Sequence, residues 1–418
     1  MPKLHKHRIR TLWFVGVLHA FTHVYQVALL PLYFLIRDDL KLQSIEQATL
    51  LVTAMMLSYF VPSYGMGILA DKLSRKKLLT FGLLVNGLAF FAFGFVHSYP
   101  AALACMIAAG LGGSTFHPAA NPLIARLFPI GTGKALGIIG IGASAGFFFG
   151  PLYAGWRAAI SGWRSPVIEL GIAGVLFALL FWFLADDEAP VVDRNTPPNK
   201  ATKLAVPQPM FESPLLWAFF LMSALALSLR DFTGSSMGSL GSLFLQEARG
   251  FDLKKTGFTI SFIFLASAIS NPIFGSLSDR ARMRSTLVVL LIAAALVAIF
   301  PHVRGNWTVP TLALYGFFFM ASYPMVEAAL MHSVHDSVRG RVFGLFITIG
   351  GIVGNLAHWL AGEWVKKLGP KSQIPESYYS AYALLALFVL GSLIGLPCLH
   401  ALRKREVEHF PELATELS

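Results

Sequence analysis

The sequence predicts an all-α integral membrane protein, with twelve transmembrane helices arranged as two pseudo-symmetric bundles of six. Three observations carry that reading. Only 13% of the 418 residues are charged and 55% are hydrophobic, whereas a soluble chain carries about a quarter charged residues. The apolar residues fall into long blocks, most of them at or beyond the ~20 residues that cross the hydrocarbon layer. Landmarks in the first six blocks also return in the last six.

The twelve blocks run approximately over 11–36, 46–70, 76–97, 100–128, 132–158, 164–185, 213–245, 254–277, 284–301, 307–333, 339–365 and 376–402. The basic N-terminus MPKLHKHRIR is followed by an apolar block without a small-residue cleavage site, so the first block is expected to be retained. The one long polar interruption, Asp186 to Pro209, is rich in proline and charge. It reads as a cytoplasmic linker. The expected organisation is an N-terminal bundle over 1–185, a linker over 186–212, and a C-terminal bundle with a cytoplasmic tail over 213–418.

Charge gives the orientation. With the N-terminus inside, 21 Lys and Arg fall on the cytoplasmic side and 11 on the other, and Arg230 within a helix completes the 33. Cations collect on the cytoplasmic side of membrane proteins, so both termini are expected there, in a bacterial inner membrane. The net charge of +11 is thereby a topology signal, and no nucleic-acid partner is expected. Cys105 and Cys398 sit in apolar blocks and suggest no disulfide. The sequence contains no Walker motif, metal-ligand cluster or nucleophile motif, so enzymatic chemistry, ATP-driven pumping and a cofactor are not expected.

The repeat is visible in short segments. GILADKLSRKK at Gly67 is echoed by GSLSDRARMRS at Gly275, which sets Asp71 over Asp279 at an offset of 208. STFHPAANPLIARLF is echoed by ASYPMVEAALMHSVH with Pro118 over Pro324, and AGW at Ala154 by GEW at Gly362. Duplicated six-helix halves are the plan of secondary transporters, whose site lies near the midplane between the halves.

Gly67, Leu69, Asp71, Lys72, Arg75 and Lys76, with the weaker copy Gly275, Leu277, Asp279 and Arg280, resemble the signature loop of the major facilitator superfamily. Ser74 stands where that family usually has glycine. The resemblance implies alternating access and a gating role for Gly67, Asp71, Arg75, Asp279 and Arg280. Within this role Asp71 pairs with cations or helix ends of the other half. It also implies a monomer. GASAGFFFGPLYAG, from Gly142 to Gly155, is similar to a motif on the fifth helix of proton-coupled drug antiporters. Gly146, Gly150 and Gly155 are expected along one helix face, with Pro151 bending the helix near its outer end. GLGGSTFHPAANP at Gly110 and FTHVYQ at Phe21 resemble the fosmidomycin-resistance branch, although that branch places an acidic residue near Tyr25 and Gln26.

Ionisable groups inside a bilayer are costly and mark candidate sites. In the first block, His19, His23 and Gln26 are spaced by four and three, so they form one helical stripe. The fourth block holds His117 and Asn121, the seventh Arg230 and Asp231, the tenth Glu327 and His332, and the eleventh Asn355 and His358. Glu327 matches Asn121 in the repeat, and both are expected to face the cavity. Proton coupling is assigned first to Glu327 and then to Asp231, since a carboxyl group held away from water can bind and release a proton. The substrate cavity is assigned to His23, Gln26, His117, Asn121, Arg230 and His358. Arg230 and Asp231, as sequence neighbours, are expected to serve different partners, and Gly234, Ser235 and Ser236 to let the helix break. A Glu327–Arg230 salt bridge is the structural alternative. Phe147 to Phe149 and Phe317 to Phe319 read as lipid-facing bulk, and His302 and His335 as loop residues.

These residues suit a proton-coupled efflux antiporter for small amphipathic or anionic compounds, with protons, a small-molecule substrate and the bilayer as partners. One alternative is a proton-coupled symporter taking up organic acids, with Arg230 as the carboxylate clamp. Another is a non-transporting membrane sensor.

Overall fold

A computed structural model describes residues 2–128, 132–185, 209–331, 333–334 and 336–409. The linker expected over 186–212 lies, up to residue 208, outside them. The first crossing is α1 (Pro2–Val27), a 3-10 turn (Leu30–Leu32) and α2 (Tyr33–Asp39). The second is α3 (Ile45–Phe60) with α4 (Ser63–Lys72), and the third is α5 (Arg75–Phe93). The fourth is α6 (Tyr99–Gly113) with α7 (Phe116–Leu127), followed by α8 (Thr132–Ser161) and α9 (Arg164–Leu184). The second half of the chain forms α10 (Pro214–Glu247), α11 (Leu253–Ile299), α12 (Thr308–Met331), α13 (Asp336–Leu368), α14 (Tyr379–Ser392) and α15 (Gly395–His409).

Proline explains where crossings break. A proline has no N–H to give the carbonyl four residues earlier. Pro31 withholds it from Val27, where α1 ends; Pro118 from Ser114, between α6 and α7; and Pro397 from Leu393, between α14 and α15. Pro62 likewise sits between α3 and α4. Pro151, by contrast, lies inside α8 without ending it.

Two predicted blocks, 254–277 and 284–301, are joined in α11, a departure from the expected separate helices. At 1.5 Å per residue, a straight helix of 47 residues would be about 70 Å long. Yet Arg249, just before α11, donates a hydrogen bond to the carbonyl of Pro301, just after it, at 2.5 Å. Phe244 also packs edge-on against Phe300 at 5.7 Å. The segment therefore doubles back and crosses twice. Eleven stretches of the described residues are long and apolar enough to span, with only Met283–His302 taken from α11; the limb starting at Leu253 makes the twelfth.

Large apolar side chains such as Trp13, Phe183 and Leu387 are 59%, 76% and 60% exposed, which suits faces solvated by lipid. Inside, α1 packs along α8 and α5 along α9; in the second half, α10 packs along α13 and α12 along α11. The halves meet where α3 lies against α13 and α8 against α11.

Hydrogen bonds that join the halves between described residues gather toward the end opposite the termini. The Tyr33 hydroxyl meets Ser239 Oγ at 2.8 Å, Ser242 Oγ donates to the Leu30 carbonyl at 2.6 Å, and Gln246 Nε2 to that of Pro31 at 3.3 Å. Thr53 Oγ1 donates to the Asn355 carbonyl at 3.0 Å and accepts from the Trp359 amide at 2.9 Å. Lys366 Nζ meets Glu46 Oε1 at 2.7 Å.

Glycine permits this approach. A Cβ on Gly155 would lie 2.4 Å from the Leu253 carbonyl oxygen, and one on Gly257 2.3 Å from that of Pro151. We predict that Gly155→Leu wedges this end apart. Overpacking of about 1–3 kcal/mol shifts a two-state equilibrium by about 5–150-fold. In a chain with Cys105 and Cys398 replaced, a cysteine at the fully buried Ser242 should react with a membrane-impermeant maleimide faster by that factor. Unchanged labelling would show that closure does not need Gly155.

Candidate functional site

Arg230 lies near the middle of α10, is 1% exposed and is partnered on every side. Its Nη2 and Nε donate to Asp231 Oδ1 at 2.8 and 3.0 Å. Its Nη1 reaches the carbonyl and hydroxyl of Ser322 at 3.4 Å, and its guanidinium lies 3.9 Å from the Tyr323 ring centroid. The two neighbours thus serve each other, contrary to the expectation that they point to different partners. Flexible side chains can curl along the helix surface when the alternative is an unpaired charge inside the protein. Nor does α10 break: it stays helical through Gly234, Ser235 and Ser236.

Room for the pair comes from α13. A Cβ on Gly350 would sit 2.5 Å from Asp231 Oδ2, and one on Gly354 2.9 Å from Asp231 Cβ. Glu327 on α12 is within electrostatic reach of both Arg230 and Asp231. It forms no ion pair among the described residues, so the expected alternative of a Glu327–Arg230 salt bridge is not realised. The cluster holds one cation and two carboxyl groups.

The first half builds its cluster from α1 and α7. His19 Nδ1 lies 2.8 Å from the Ile139 carbonyl, His19 Nε2 3.0 Å from His23 Nε2, and His23 Nδ1 2.8 Å from Gln26 Oε1. His117, only partly enclosed, stands edge-on to His19 with ring centroids 5.2 Å apart. Phe116 stacks on His19 at 4.6 Å and Phe147 on His23 at 4.1 Å. Phe147 also stacks on Phe264 of α11 at 4.9 Å, which ties this cluster to the second half. Phe147, partly buried, therefore packs inward and is not lipid-facing bulk, and Phe319 is fully buried; Phe149, 56% exposed, keeps the expected outward position.

The clusters occupy equivalent positions. His117 and Tyr323 are 206 residues apart, the offset of Pro118 and Pro324, and His23 and Arg230 are 207 apart. Gly142 and Gly146 of α8 meet Gly16 and Ala20 of α1, where a Cβ would lie 1.9 and 2.2 Å from backbone oxygen. They precede Gly350 and Gly354 by 208. The family model described as Major Facilitator Superfamily matches residues 12–358. The chain belongs to that superfamily. It is a multi-pass membrane transporter and not an enzyme.

The multi-drug resistance efflux pump PmrA of Streptococcus pneumoniae is 27% identical over 369 residues, covering 84% of this chain and 88% of the relative. The multidrug resistance protein MdtG of Salmonella typhimurium is 28% identical over 302 residues, covering 69% and 72%. A crystal structure of a bacterial homolog of the human lysosomal transporter Spinster, inward-facing and unoccupied, superimposes with a TM-score of 0.72 at 17% identity, covering 97% and 98% of the chains. That likeness concerns the fold.

Other facilitator positions fall as follows. Asn121 lies one turn beyond His117 and is exposed. His358 is buried in the closed end, where Nδ1 meets Ser239 Oγ at 2.6 Å and Nε2 meets Asn355 Oδ1 at 3.1 Å. Gly146 and Gly150 face α1, but Gly155 faces α11. The expectation of one shared face fails because nine residues from Gly146 to Gly155 make about two and a half turns. Gly67 has open space around it, and Arg75 is 5% exposed at the start of α5. The side chains of Asp71, Asp279 and Arg280, like His332 and His335, lie outside the described residues.

Tyr323, Phe147, Gly350 and Gly354 were not singled out for the site from the sequence. The 206–208 offset, applied to His117, Gly142 and Gly146, would have picked out Tyr323 and both glycines. We predict that Asp231→Asn, by leaving Arg230 without its counter-charge, costs about 3–5 kcal/mol. Thermal unfolding in detergent should report this as a lowered midpoint, with much of the loss recovered in Arg230→Met/Asp231→Asn. A double variant no better than the single one would mean that the two residues do not act as a pair.

Proposed function

We propose that this facilitator is a proton-coupled exporter of small amphipathic compounds, working by alternating access from a bacterial inner membrane with both termini in the cytoplasm. One observation carries the reading: Arg230 is consumed by Asp231, while Glu327 stands beside the pair with no ion-pair partner of its own among the described residues. A carboxylate in that position needs a proton or a positively charged guest. Competition between the two for Glu327 is the physical content of antiport. Export accords with the names of PmrA, a multi-drug resistance efflux pump, and MdtG, a multidrug resistance protein.

The uptake alternative asks Arg230 to clamp a substrate carboxylate. With 1% of its surface exposed and its donors directed to Asp231 and Ser322, it has little left to offer an incoming anion. The closed end opposite the termini, together with cytoplasmic termini, corresponds to a carrier facing the cytoplasm.

Reconstituted protein tests the coupling. With an imposed pH gradient, the wild type should drive a lipophilic cationic dye toward the acidic side. Glu327→Gln should reduce that flux to the level of empty vesicles while retaining its melting temperature and its exclusion-chromatography profile. Gradient-driven flux at the wild-type rate in this variant would remove Glu327 from the mechanism. Asp71→Asn, in the loop resembling the family signature, should slow turnover and leave dye affinity unchanged. An unchanged rate would dismiss the gating role of Asp71.

A further inference from the structure

The proton-coupling scheme makes no use of the histidine cluster. We propose that His19, His23 and His117 bind a divalent transition-metal ion of the zinc class through their ring nitrogens. This goes beyond the transport reading and does not depend on it.

The argument begins with donors and acceptors. A carbonyl oxygen only accepts, so the 2.8 Å contact to Ile139 places a proton on His19 Nδ1. The 2.8 Å contact to Gln26 Oε1 does the same for His23 Nδ1. In neutral rings, both Nε2 atoms then carry lone pairs, and these face each other at 3.0 Å. Two lone pairs at that distance repel unless a cation lies between them.

This arrangement also matches how proteins hold metal-binding histidines. A ligating imidazole usually gives its other N–H to a carbonyl or carboxylate, which fixes the tautomer and aims the lone pair. His19 and His23 both do this. Phe116 and Phe147, stacked on the two rings at 4.6 and 4.1 Å, restrain their tilt.

His117 supplies the third ligand, since one ring nitrogen from each histidine lies within 4.8 Å of the others. Zinc–nitrogen bonds of about 2.0–2.1 Å at tetrahedral angles put ligand nitrogens about 3.3 Å apart. The His19–His23 distance is already close to that, and a small rotation of His117 closes the set. Three neutral imidazoles suit zinc, nickel, cobalt or copper rather than magnesium or calcium, which take oxygen ligands. A three-histidine site leaves a coordination position for water or for a donor atom of a guest.

Two rival arrangements exist. In the first, a proton shared between the two Nε2 atoms supplies the intervening cation as an imidazole–imidazolium pair, and no metal binds. The second is neutral. If Gln26 turned its amide nitrogen toward His23, a proton would move to His23 Nε2 and the chain from Gln26 to Ile139 would be neutral and fully satisfied. That arrangement binds no ion.

Full-length protein, freed of any histidine tag and stripped with chelator, distinguishes the metal site from both. Incubated with zinc chloride and desalted, it should retain one equivalent of metal per chain. Cobalt chloride should give the visible absorption of a four-coordinate nitrogen-rich complex. His23→Gln and His117→Asn should each weaken zinc binding at least tenfold by calorimetry, and Gln26→Leu by about 10–100-fold through loss of ligand orientation. His302→Asn, on an exposed loop residue, and Glu327→Gln should bind as the wild type does, so this site and proton coupling fail separately. Melting temperatures of the metal-free variants establish that they fold; His117 makes no hydrogen bond between described residues, so its replacement is the gentler one. Absence of stoichiometric metal overturns the proposal in favour of a metal-free arrangement of the histidines, and binding undiminished in His117→Asn overturns it by placing the metal elsewhere.

Discussion

A guanidinium enclosed near the middle of a membrane helix sets the terms for the second half of this transporter. Arg230 cannot be left without an opposite charge, because an uncompensated ion away from water costs several kcal/mol. The counter-charge comes from the next residue, which is not a natural partner on a helix. Asp231 can turn back only because α13 offers bare backbone at Gly350 and Gly354. Tyr323 then covers the guanidinium with its ring at 3.9 Å. The pairing is local and neutral overall, and in the proposed scheme it leaves Glu327 as the group that takes up and releases the proton.

The first half poses the same geometric problem with different chemistry. His23 stands where Arg230 stands, His117 where Tyr323 stands, and Gly142 and Gly146 where Gly350 and Gly354 stand. In both halves a glycine pair on the fifth helix of the bundle lets a polar stripe on the first helix sit close. The stripe is occupied by imidazoles in one half and by an ion pair in the other. Duplication therefore preserved the small residues that set helix spacing, while the polar groups they accommodate diverged.

Much of this was legible in the sequence, for reasons that differ from feature to feature. The crossings follow from hydropathy, because no other arrangement of so apolar a chain satisfies its backbone in lipid. The duplication was visible because loop charges and helix prolines keep their spacing. His23 and His117 were found as polar residues, but their meeting was not, since close to a hundred residues separate them and spacing reports only one helix at a time. Rules for helix neighbours misplaced Arg230 and Asp231 because they treat side chains as spokes, whereas a long guanidinium follows its charge. Gly155 was assigned to the wrong face by grouping it with Gly146, although the helical period already separates them. Phe147 was taken for lipid-facing bulk because composition does not distinguish a ring that meets lipid from one that meets an imidazole.

α13 connects the coupling chemistry to the closed end. Gly350 and Gly354 form the wall against which Asp231 rests, and Gly351 lies under the Phe60 ring of the other half. One turn after Gly354 comes His358, tied through Ser239 to Tyr33 of the first half. Asn355 and Trp359 are bound to Thr53 at the same level. One face of one helix thus touches the ion pair, and the next turn holds the contacts that keep the halves together. A helix transmits a shift along its axis because its own hydrogen bonds resist stretching. A change in how Asp231 seats on Gly350 and Gly354 therefore acts, within a single turn, on the residues that join the two halves. Under the proposed coupling, proton binding and gate opening would need no long relay between them, since both would act on the same two turns of α13.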